Sequence, residues 1–264
     1  MNAQDLFGTG VDKPASEIAL SQSFLADPYA GLLGNRGFRV RRNDGEDLIR
    51  LLEKGQTAAA FISVPDYARL KMPGWRVLPH TAFHCREQAP WALLYFGSAE
   101  NSLEHIVFRE EPLLFRSYLE LILRERYEIT PHWEDGEKAG LSLFYGGLPA
   151  LEQAARDAAY WDITDQWYDL TETPLVSHFW IVREEAPEKL IRELELLRTR
   201  PLMHDHSGAK RFFSAFLKTD FSDGAREGLA EYYDLAFSYG MIEFMPEIKF
   251  YGEDEPEEGG GAKK

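Results

Sequence analysis

A histidine and a serine stand side by side in the most apolar run of the chain, residues 175–182, which reads LVSHFWIV. A run that is apolar on both faces is typical of a strand in the buried middle of a sheet, as parallel strands are. Two adjacent polar side chains there need hydrogen-bond partners or a ligand, because burying them unpaired is costly. Histidine titrates near neutral pH, so His178 is a candidate general base and Ser177 a candidate ligand contact. The alternative is that His178 is a core histidine whose hydrogen bonds the chain itself satisfies.

Hydroxyl and amide side chains follow two further predicted strands, at residues 17–20 and 58–64. Ser21, Gln22 and Ser23 come directly after the first strand, and Ser63 lies at the end of the second. Together with backbone N–H groups, such donors can orient a carboxylate ligand. The same residue types also serve loop solvation and helix capping, so both interpretations stay open.

Arg116, Asp66 and His84 complete the set of candidate site residues. Arg116 lies in a predicted helix and either holds an anion or pairs with a neighbouring glutamate. Asp66 is either a ligand contact or a helix cap. His84 is a second candidate base, with a surface or capped histidine as the alternative.

Other motifs give no reason to expect a cofactor or a covalent mechanism. The single cysteine, Cys85, permits neither a disulfide framework nor a cysteine-based zinc site within one chain. The His-Asp-His motif at residues 204–206 contains competent metal ligands but is weak evidence on its own. The glycine clusters lack the lysine and spacing of a P-loop. We therefore expect no metal and no cofactor.

Composition limits the possible partners. A net charge of −15 argues against nucleic acid and against an anionic membrane surface. No apolar run reaches the ~18 residues that a membrane span needs. The first residues lack the basic start and apolar core of a secretory signal, which predicts a cytoplasmic protein. The sequence does not fix the oligomeric state.

The order of the predicted elements indicates an α/β fold. Residues 17–64 alternate strand, helix, strand, helix and strand, which predicts a parallel sheet. A second set follows, with strands at 91–96, 103–108, 127–132 and 141–145 and helices at 112–126 and 148–160. Helices at 187–200, 212–217 and 224–239 come after the central strand.

This order predicts two lobes that the chain connects twice. Lobe 1 is discontinuous and comprises residues 17–86 and 181–250, and lobe 2 comprises residues 87–180. Polar composition predicts disorder for residues 1–16 and 252–264. A cleft between such lobes, where strand ends and helix starts converge, is a typical place for a small ligand.

Two segments resemble signatures of a known family. DITDQWYDLTETPLVSHFW and FYGGLPAL are similar to sequences of the chorismate dehydratase and dihydroxynaphthoate synthase family of menaquinone biosynthesis. The matching positions are Trp167, Thr171, Pro174, Trp180, Gly146, Ala150 and Leu151. Further similarity in DLIRLLEKGQTAAAFISVPDYARL, VLPHTAFHC and EYYDLAFSYGMIEF extends the resemblance over residues 17–250. It implies a two-lobed type II periplasmic-binding-protein-like fold, with two crossover strands and an interlobe cleft for a small anionic carbocycle.

The chain departs from this family where the family binds its ligand. An Asn of the first loop and a Ser-x-Thr-Ser cluster at a helix start have apolar counterparts here: Leu25, Pro112, Leu114 and Phe115. The Asp of the family's Gly-Asp pair is Gly147, after the matching Gly146. Apolar side chains cannot hold a buried carboxylate.

The resemblance leaves two functions open. The first is a chorismate dehydratase-like hydro-lyase of the futalosine route to menaquinone, which would remove the ring hydroxyl of chorismate as water, with His178 taking the ring proton. The second is a non-catalytic small-carboxylate-binding or sensor protein on the same scaffold. The overall resemblance favours the enzyme, and the replaced residues favour the binding protein. In both, the expected contacts of a small anionic carboxylate are Ser21, Gln22, Ser23, Ser63, Asp66, Arg116, Gly146, Gly147 and Ser177.

Overall fold

The computed structural model describes residues 17–86, 89, 91–96, 102–108, 113–135, 141–145, 159–197 and 217–253, without the side chains of residues 135, 142, 144 and 145. Several predicted features lie outside these residues. They are the terminal segments 1–16 and 254–264, Pro112, residues 146–151, the motif at 204–206, and most of the predicted helices 148–160 and 212–217.

The chain begins with three parallel strands and three helices, in the predicted order. They are β1 (Glu17–Leu20), α1 (Asp27–Gly34), β2 (Arg39–Arg42), α2 (Gly45–Glu53), β3 (Ala59–Ser63) and α3 (Val64–Arg69), with a 3₁₀ turn (Phe24–Ala26) before α1. β1 pairs in parallel with both β2 and β3, which confirms the prediction for these strands. Helix α2 buries Leu48, Leu51 and Leu52, which share one face. Gly55 follows its end with φ +64°, a left-handed conformation that favours glycine.

The apolar run at residues 175–182 forms the middle of this sheet but runs antiparallel. Strand β11 (Leu175–Arg183) pairs antiparallel with β3 and with the short strands β4 (Trp75–Val77) and β5 (Phe83–Cys85). The order is β2-β1-β3-β11-β4, with β5 also beside β11. The prediction of a buried central strand is confirmed, and the prediction of a parallel strand is wrong. An apolar run indicates burial on both faces, whichever way the neighbouring strands run.

A second sheet comes from the middle of the chain and has the order β10-β6-β9-β7-β8. Its strands are β6 (Ala92–Phe96), β7 (His105–Phe108), β8 (His132–Asp135), β9 (Leu141–Tyr145) and β10 (Tyr160–Asp162), with helix α4 (Leu113–Tyr127) between β7 and β8. It is mixed, since β7 pairs in parallel with β8 and β9, whereas β6 pairs antiparallel with β9 and β10.

Two predicted boundaries in this region are wrong. The strand predicted at 127–132 begins only at His132, because Glu128 adopts a left-handed conformation (φ +57°) that ends α4 and turns the chain first. Tyr160, predicted as helical, opens strand β10 because it pairs with Tyr95 of β6.

Three more helices are α5 (Ile163–Thr171), α6 (Glu188–Leu197) and α7 (Asp223–Ser238). Helix α7 packs against β11 and α4. A Cβ atom at Gly228 of α7 would lie 2.1 Å from the carbonyl oxygen of Pro174, so this close approach requires glycine. Among the residues that the structure covers, none of the helices is long and apolar enough to cross a bilayer.

One predicted lobe boundary falls within strand β11. The predicted lobe 2 ended at residue 180, but β11 belongs to the first sheet from Leu175 onward. Residues 175–180 are therefore part of the first sheet, and the domain boundaries stay predictions. One cluster of buried apolar side chains extends through both sheets.

Candidate ligand site

His178 lies at the centre of the first sheet. Its Cα pairs with those of Ser63 on β3 and Phe83 on β5, and the residue is 1% exposed. The imidazole ring stacks on Phe61, with centroids 5.0 Å apart and planes 11° apart. Nδ1 has no hydrogen-bond partner within the described residues. Burial lowers the pKa of His178 to about 3, so the ring is neutral at pH 7 and is a weak base.

Ser63 and Asp66 form a hydrogen-bonded pair where β3 ends and α3 begins. The Ser63 hydroxyl donates to Asp66 Oδ2 at 2.6 Å and accepts from the Asp66 N–H at 3.3 Å, so Ser63 caps the helix. Asp66 Oδ1 lies 3.5 Å from Arg69 Nη1. Burial raises the pKa of Asp66. The hydrogen bond from Ser63 lowers this pKa, and the nearby negative charge of Asp44 raises it.

Ser21 directly follows β1, the strand that pairs with β3. Its N–H donates to the carbonyl of Phe61 on β3 at 3.0 Å, which extends the strand pairing by one residue. The Ser21 side chain is 1% exposed, and its Oγ has no hydrogen-bond partner in the described part of the chain. A buried hydroxyl without a partner costs free energy, which makes Ser21 the strongest candidate for a ligand contact.

Two neighbouring candidates have structural roles. The Ser23 Oγ accepts from the Leu25 N–H at 3.2 Å and caps the 3₁₀ turn. Gln22 is exposed, and its N–H donates to Asp44 Oδ1 at 3.0 Å. Of the predicted cluster at residues 21–23, Ser21 therefore stays the candidate ligand contact, at the end of the strand next to β3.

Ser177, next to His178, is satisfied within the sheet. Its hydroxyl donates to the carbonyl of Phe83 at 3.1 Å, at an irregularity in the pairing of β11 with β5. From the sequence, we expected both Ser177 and His178 to need partners in a buried strand. One of them has its partner on the adjacent strand, and the other stacks on an aromatic ring.

Arg116 lies on helix α4 and contacts strands β7 and β8 of the second sheet. Its guanidinium lies 4.2 Å from the ring centroid of Phe108 and 4.8 Å from that of Trp133, a cation–π arrangement. Glu120, one of the glutamates considered as its partner, forms an ion pair with Arg124 at 2.5 Å. Gly146 and Gly147 lie outside the described residues.

His84, the second candidate base, lies on strand β5. Its Nε2 is 2.6 Å from Asp220 Oδ1, and its backbone N–H donates to the carbonyl of Lys218. Burial lowers the pKa of His84, and the hydrogen bond and the charge of Asp220 oppose that shift. The arrangement matches the alternative of a capped histidine.

The start of helix α4 is packed core. Leu114 and Phe115, which stand where the resembled family has hydroxyl side chains, are both 0% exposed. Phe115 makes an edge contact with Trp91, with ring centroids 5.5 Å apart. Leu25, the counterpart of the family's Asn, is also completely buried.

Three buried tyrosines join the elements around this core, and the sequence analysis did not single them out. Tyr118 OH on α4 donates to the carbonyl of Val176 at 2.6 Å. Tyr232 OH on α7 donates to Ser117 Oγ at 2.9 Å, and Tyr233 OH to the carbonyl of Val64 at 3.0 Å. The adjacent tyrosines in EYYDLAF, inside an otherwise apolar helix face, were the available indication that buried hydroxyls would need partners.

No protein-family model matches this chain, and no curated protein matches it in sequence. Protein AF1704 from Archaeoglobus fulgidus is similar in structure, with a TM-score of 0.63 and 17% identity over 88% of this chain and 100% of that one. The periplasmic aliphatic sulphonate binding protein SsuA from Escherichia coli gives a TM-score of 0.60 at 10% identity, over 95% of this chain and 98% of that one. An ABC transporter protein from Parabacteroides distasonis gives 0.59 at 15% identity, over 92% and 100%. The chain therefore has a periplasmic-binding-protein-like α/β fold, which confirms the fold that the resemblance implied.

Proposed function

We propose that this protein binds a small ligand between its lobes without transforming it, and acts as a receptor or sensor. The observation that carries the proposal is the start of helix α4, where Leu114 and Phe115 are fully buried. A dianion such as chorismate needs charged or hydrogen-bonding groups on both sides of a cleft. At this position the chain offers apolar side chains that already pack against its own core.

Neither of the two histidines considered as a base is suited to a dehydration. His178 has a pKa of about 3 and stacks on Phe61, so it takes up a ring proton poorly at neutral pH. His84 is held by Asp220 on the crossover strand. These placements support binding over proton abstraction.

The polar side of the proposed site favours a ligand with little negative charge. Ser21, after β1, has a hydroxyl without a partner in the described residues, and Ser63 and Asp66, where the adjacent β3 ends and α3 begins, present a hydroxyl and a carboxyl group. Asp44 is close enough to raise the pKa of Asp66, so the region already carries mutually repelling acids. A neutral compound or a monoanion with hydroxyl groups fits this side better than a dianion does.

The lyase remains the second candidate because of the matches to the resembled family, and the structure shows what those matches do. Trp167 is fully buried, and Thr171 donates to the Trp167 carbonyl at 2.9 Å. Trp180 belongs to an aromatic cluster with Tyr29 and Phe61. These residues stabilise the scaffold, so their match supports a shared architecture and carries no information about the reaction.

The test uses the full chain and two probes, chorismate and shikimate, the latter a hydroxylated monoanionic carbocycle. We expect no enolpyruvyl benzoate from chorismate, and binding of shikimate that calorimetry detects. Ser21→Ala should weaken shikimate binding by about tenfold, since a lost hydrogen bond is worth about 1 kcal/mol or more. Ser222→Ala, at an exposed serine that makes no side-chain cap, is the matched control and should leave the affinity unchanged.

Two different results would contradict the proposed function. Product formation in proportion to protein concentration would restore the lyase. Failure to bind shikimate, or equal affinity of wild type and Ser21→Ala for it, would contradict the proposal of a receptor that uses Ser21 as a ligand contact.

A further inference from the structure

A second concave region lies at the opposite edge of the first sheet, where the parallel strands begin. It is an open groove of about 820 Å³. Its lining comes from β1, β2, the residues just before β3, and the end of β11 with the residues after it: Glu17, Arg39, Arg41, Gly55, Gln56, Thr57, Ala58, Arg183, Glu185 and Ala186. The strand ends that carry Ser21 and Ser63 are at the other edge, so the groove is separate from the proposed ligand site.

The strand register explains the shape of this groove. Glu17 pairs with Arg39, the Ala58 N–H donates to the Glu17 carbonyl, and the Arg183 N–H donates to the Ala58 carbonyl. These four residues therefore form one row across β2, β1, β3 and β11, and residues in such a row share a face of the sheet. Arg39 and Arg183 stand at the two ends of the row, and Glu17 and the methyl group of Ala58 lie between them.

The next row on the same face also has an arginine on the outer strand β2. Arg41 pairs with Ala19, Ala19 with Ala60, and Ala60 with Ile181. Ala19, Ala60 and Ile181 are fully buried and do not line the groove, so this row contributes only Arg41 to its β2 margin.

The arginines of the groove keep hydrogen-bonding capacity for a ligand. Arg39 is exposed, and none of the ion pairs between described residues includes it. Arg183 donates one N–H to the Leu52 carbonyl at 2.8 Å and stacks over Trp75 at 4.3 Å, which fixes its guanidinium in place. Arg41 forms an ion pair with Glu17. In a chain of net charge −15, a groove with three arginines and two glutamates is a local site for anions.

A buried hydroxyl in the groove wall points independently to a ligand. Thr57 is 3% exposed, and its Oγ1 has no hydrogen-bond partner within the described residues. An unpartnered hydroxyl at this depth costs free energy unless a bound molecule satisfies it. Arginine side chains and a hydroxyl donor are the groups with which proteins hold phosphate and carboxylate oxygens.

We propose that this groove binds a small polyanion whose two negatively charged groups contact the Arg39 and Arg41 margin and the Arg183 margin. The margins are three strand spacings apart, about 14 Å between backbones, so inward-reaching side chains enclose a compact molecule with two anionic groups. The volume of about 820 Å³ lies within the range of small-molecule sites. Phosphate and carboxylate groups share the required chemistry, so the test includes one probe for each.

The experiment measures binding of inorganic pyrophosphate and of citrate to the full chain by titration calorimetry at low salt. Binding of pyrophosphate alone assigns the groove to phosphates, binding of citrate alone to carboxylates, and binding of both to polyanions in general. Binding of neither overturns the proposal. Arg39→Gln should weaken the binding by about tenfold, because it removes a charge-assisted contact from an exposed residue that the fold does not use.

Two further variants separate a site from general electrostatic attraction. Arg50→Gln removes the same charge from an exposed arginine of helix α2 that does not line the groove, and should leave the affinity unchanged. Thr57→Val should weaken binding while leaving the melting temperature equal or higher, because the hydroxyl has no partner to lose within the described chain. Equal affinities for wild type, Arg39→Gln and Thr57→Val would overturn the proposal, as would an equal loss in Arg50→Gln.

Discussion

The ends of the first sheet's strands and the start of helix α4 differ in their chemistry, although α4 packs against helix α3, which follows directly from one of those strands. The strand ends keep Ser21, Ser63 and Asp66, and one of these hydroxyls has no partner in the described chain. The start of α4 presents Leu114 and Phe115, which belong to the core. A site for a doubly charged ligand needs polar groups on both sides, so the comparison supports a scaffold that keeps one half of such a site.

The comparison also shows how hydroxyl groups are used in the two regions. On the side of α4, Ser117 donates to the Leu114 carbonyl and accepts from Tyr232, and Tyr118 donates to Val176. These hydroxyls connect elements of the protein to each other. Ser21, by contrast, connects to the sheet only through its backbone.

The largest effect is expected from Phe115→Ala. Removing a fully buried aromatic side chain leaves a cavity beside Trp91 and should lower the free energy of unfolding by about 3 to 5 kcal/mol. Denaturant unfolding measures the change. Leu113→Ala, on the same helix but 41% exposed, is the control and should change stability by no more than about 0.5 kcal/mol. Similar small losses in both variants would show that the start of α4 is not core.

An intermediate effect is expected from Asp162→Asn, which tests a buried polar group of the second sheet. Asp162 caps α5 by accepting from the Thr164 N–H at 2.9 Å, and burial raises its pKa to about 7. The folded state therefore keeps a proton that the unfolded chain loses above its ordinary pKa of 3.8, so this group's contribution to stability falls as pH rises from about 4 to 7. Asparagine keeps the acceptor and cannot ionise. The variant should be more stable than wild type at pH 8, by about 1 to 3 kcal/mol at about 1.4 kcal/mol per unit of pKa, and nearly equal to it at pH 4.

The pKa shift of His178, in the first sheet, changes stability with pH in the opposite direction. Its pKa falls from 6.5 to about 3, so the unfolded chain binds a proton that the folded state excludes, and this contribution to stability rises from about pH 3 to 6.5. The contributions of the two groups therefore oppose each other between about pH 4 and 6.5. The melting temperature of Asp162→Asn relative to that of wild type should rise with pH across this range, and the control Asp169→Asn, at an exposed residue of α5, should show no such trend. A difference from wild type that falls with pH would contradict the assignment.

The smallest effect on stability is expected from Ser21→Ala. The hydroxyl has no partner within the described residues, so its removal should leave the free energy of unfolding within about 0.5 kcal/mol of wild type or raise it slightly. Ser63→Ala breaks two hydrogen bonds with the buried Asp66 and should cost about 1 to 3 kcal/mol. A loss for Ser21→Ala as large as that for Ser63→Ala would show that the chain itself uses the Ser21 hydroxyl.

Patterns within single segments predicted much of the fold. Leu48, Leu51 and Leu52 recur at helical spacing and are buried on one face of α2, and the alternation of strands and helices gave three parallel strands correctly. The direction of β11 was not predictable in this way, because both parallel and antiparallel strands in the middle of a sheet bury both faces. Direction depends on which distant segment pairs with the strand, and the residue types carry little information about that.

The candidate site was predictable only as a set of residue types. The sequence identified Ser21, Ser23 and Ser63 as donors after strands but offered no means to tell a capping serine from an unpartnered one. That distinction depends on the exact path of the backbone over the next three residues. The buried tyrosines and the arginine rows were missed because each arises from contacts between segments far apart in the chain.

Strand β11 also has a consequence for how this protein is made. It fills the gap between β3 and the short strands β4 and β5, although all three leave the ribosome long before it. Until β11 emerges, the β3 edge of a nascent chain has unpaired backbone N–H and C=O groups, and these can pair with other nascent chains. Chains that stall before Leu175 should therefore aggregate and need chaperones. In full-length chains β11 pairs with these edges and removes them.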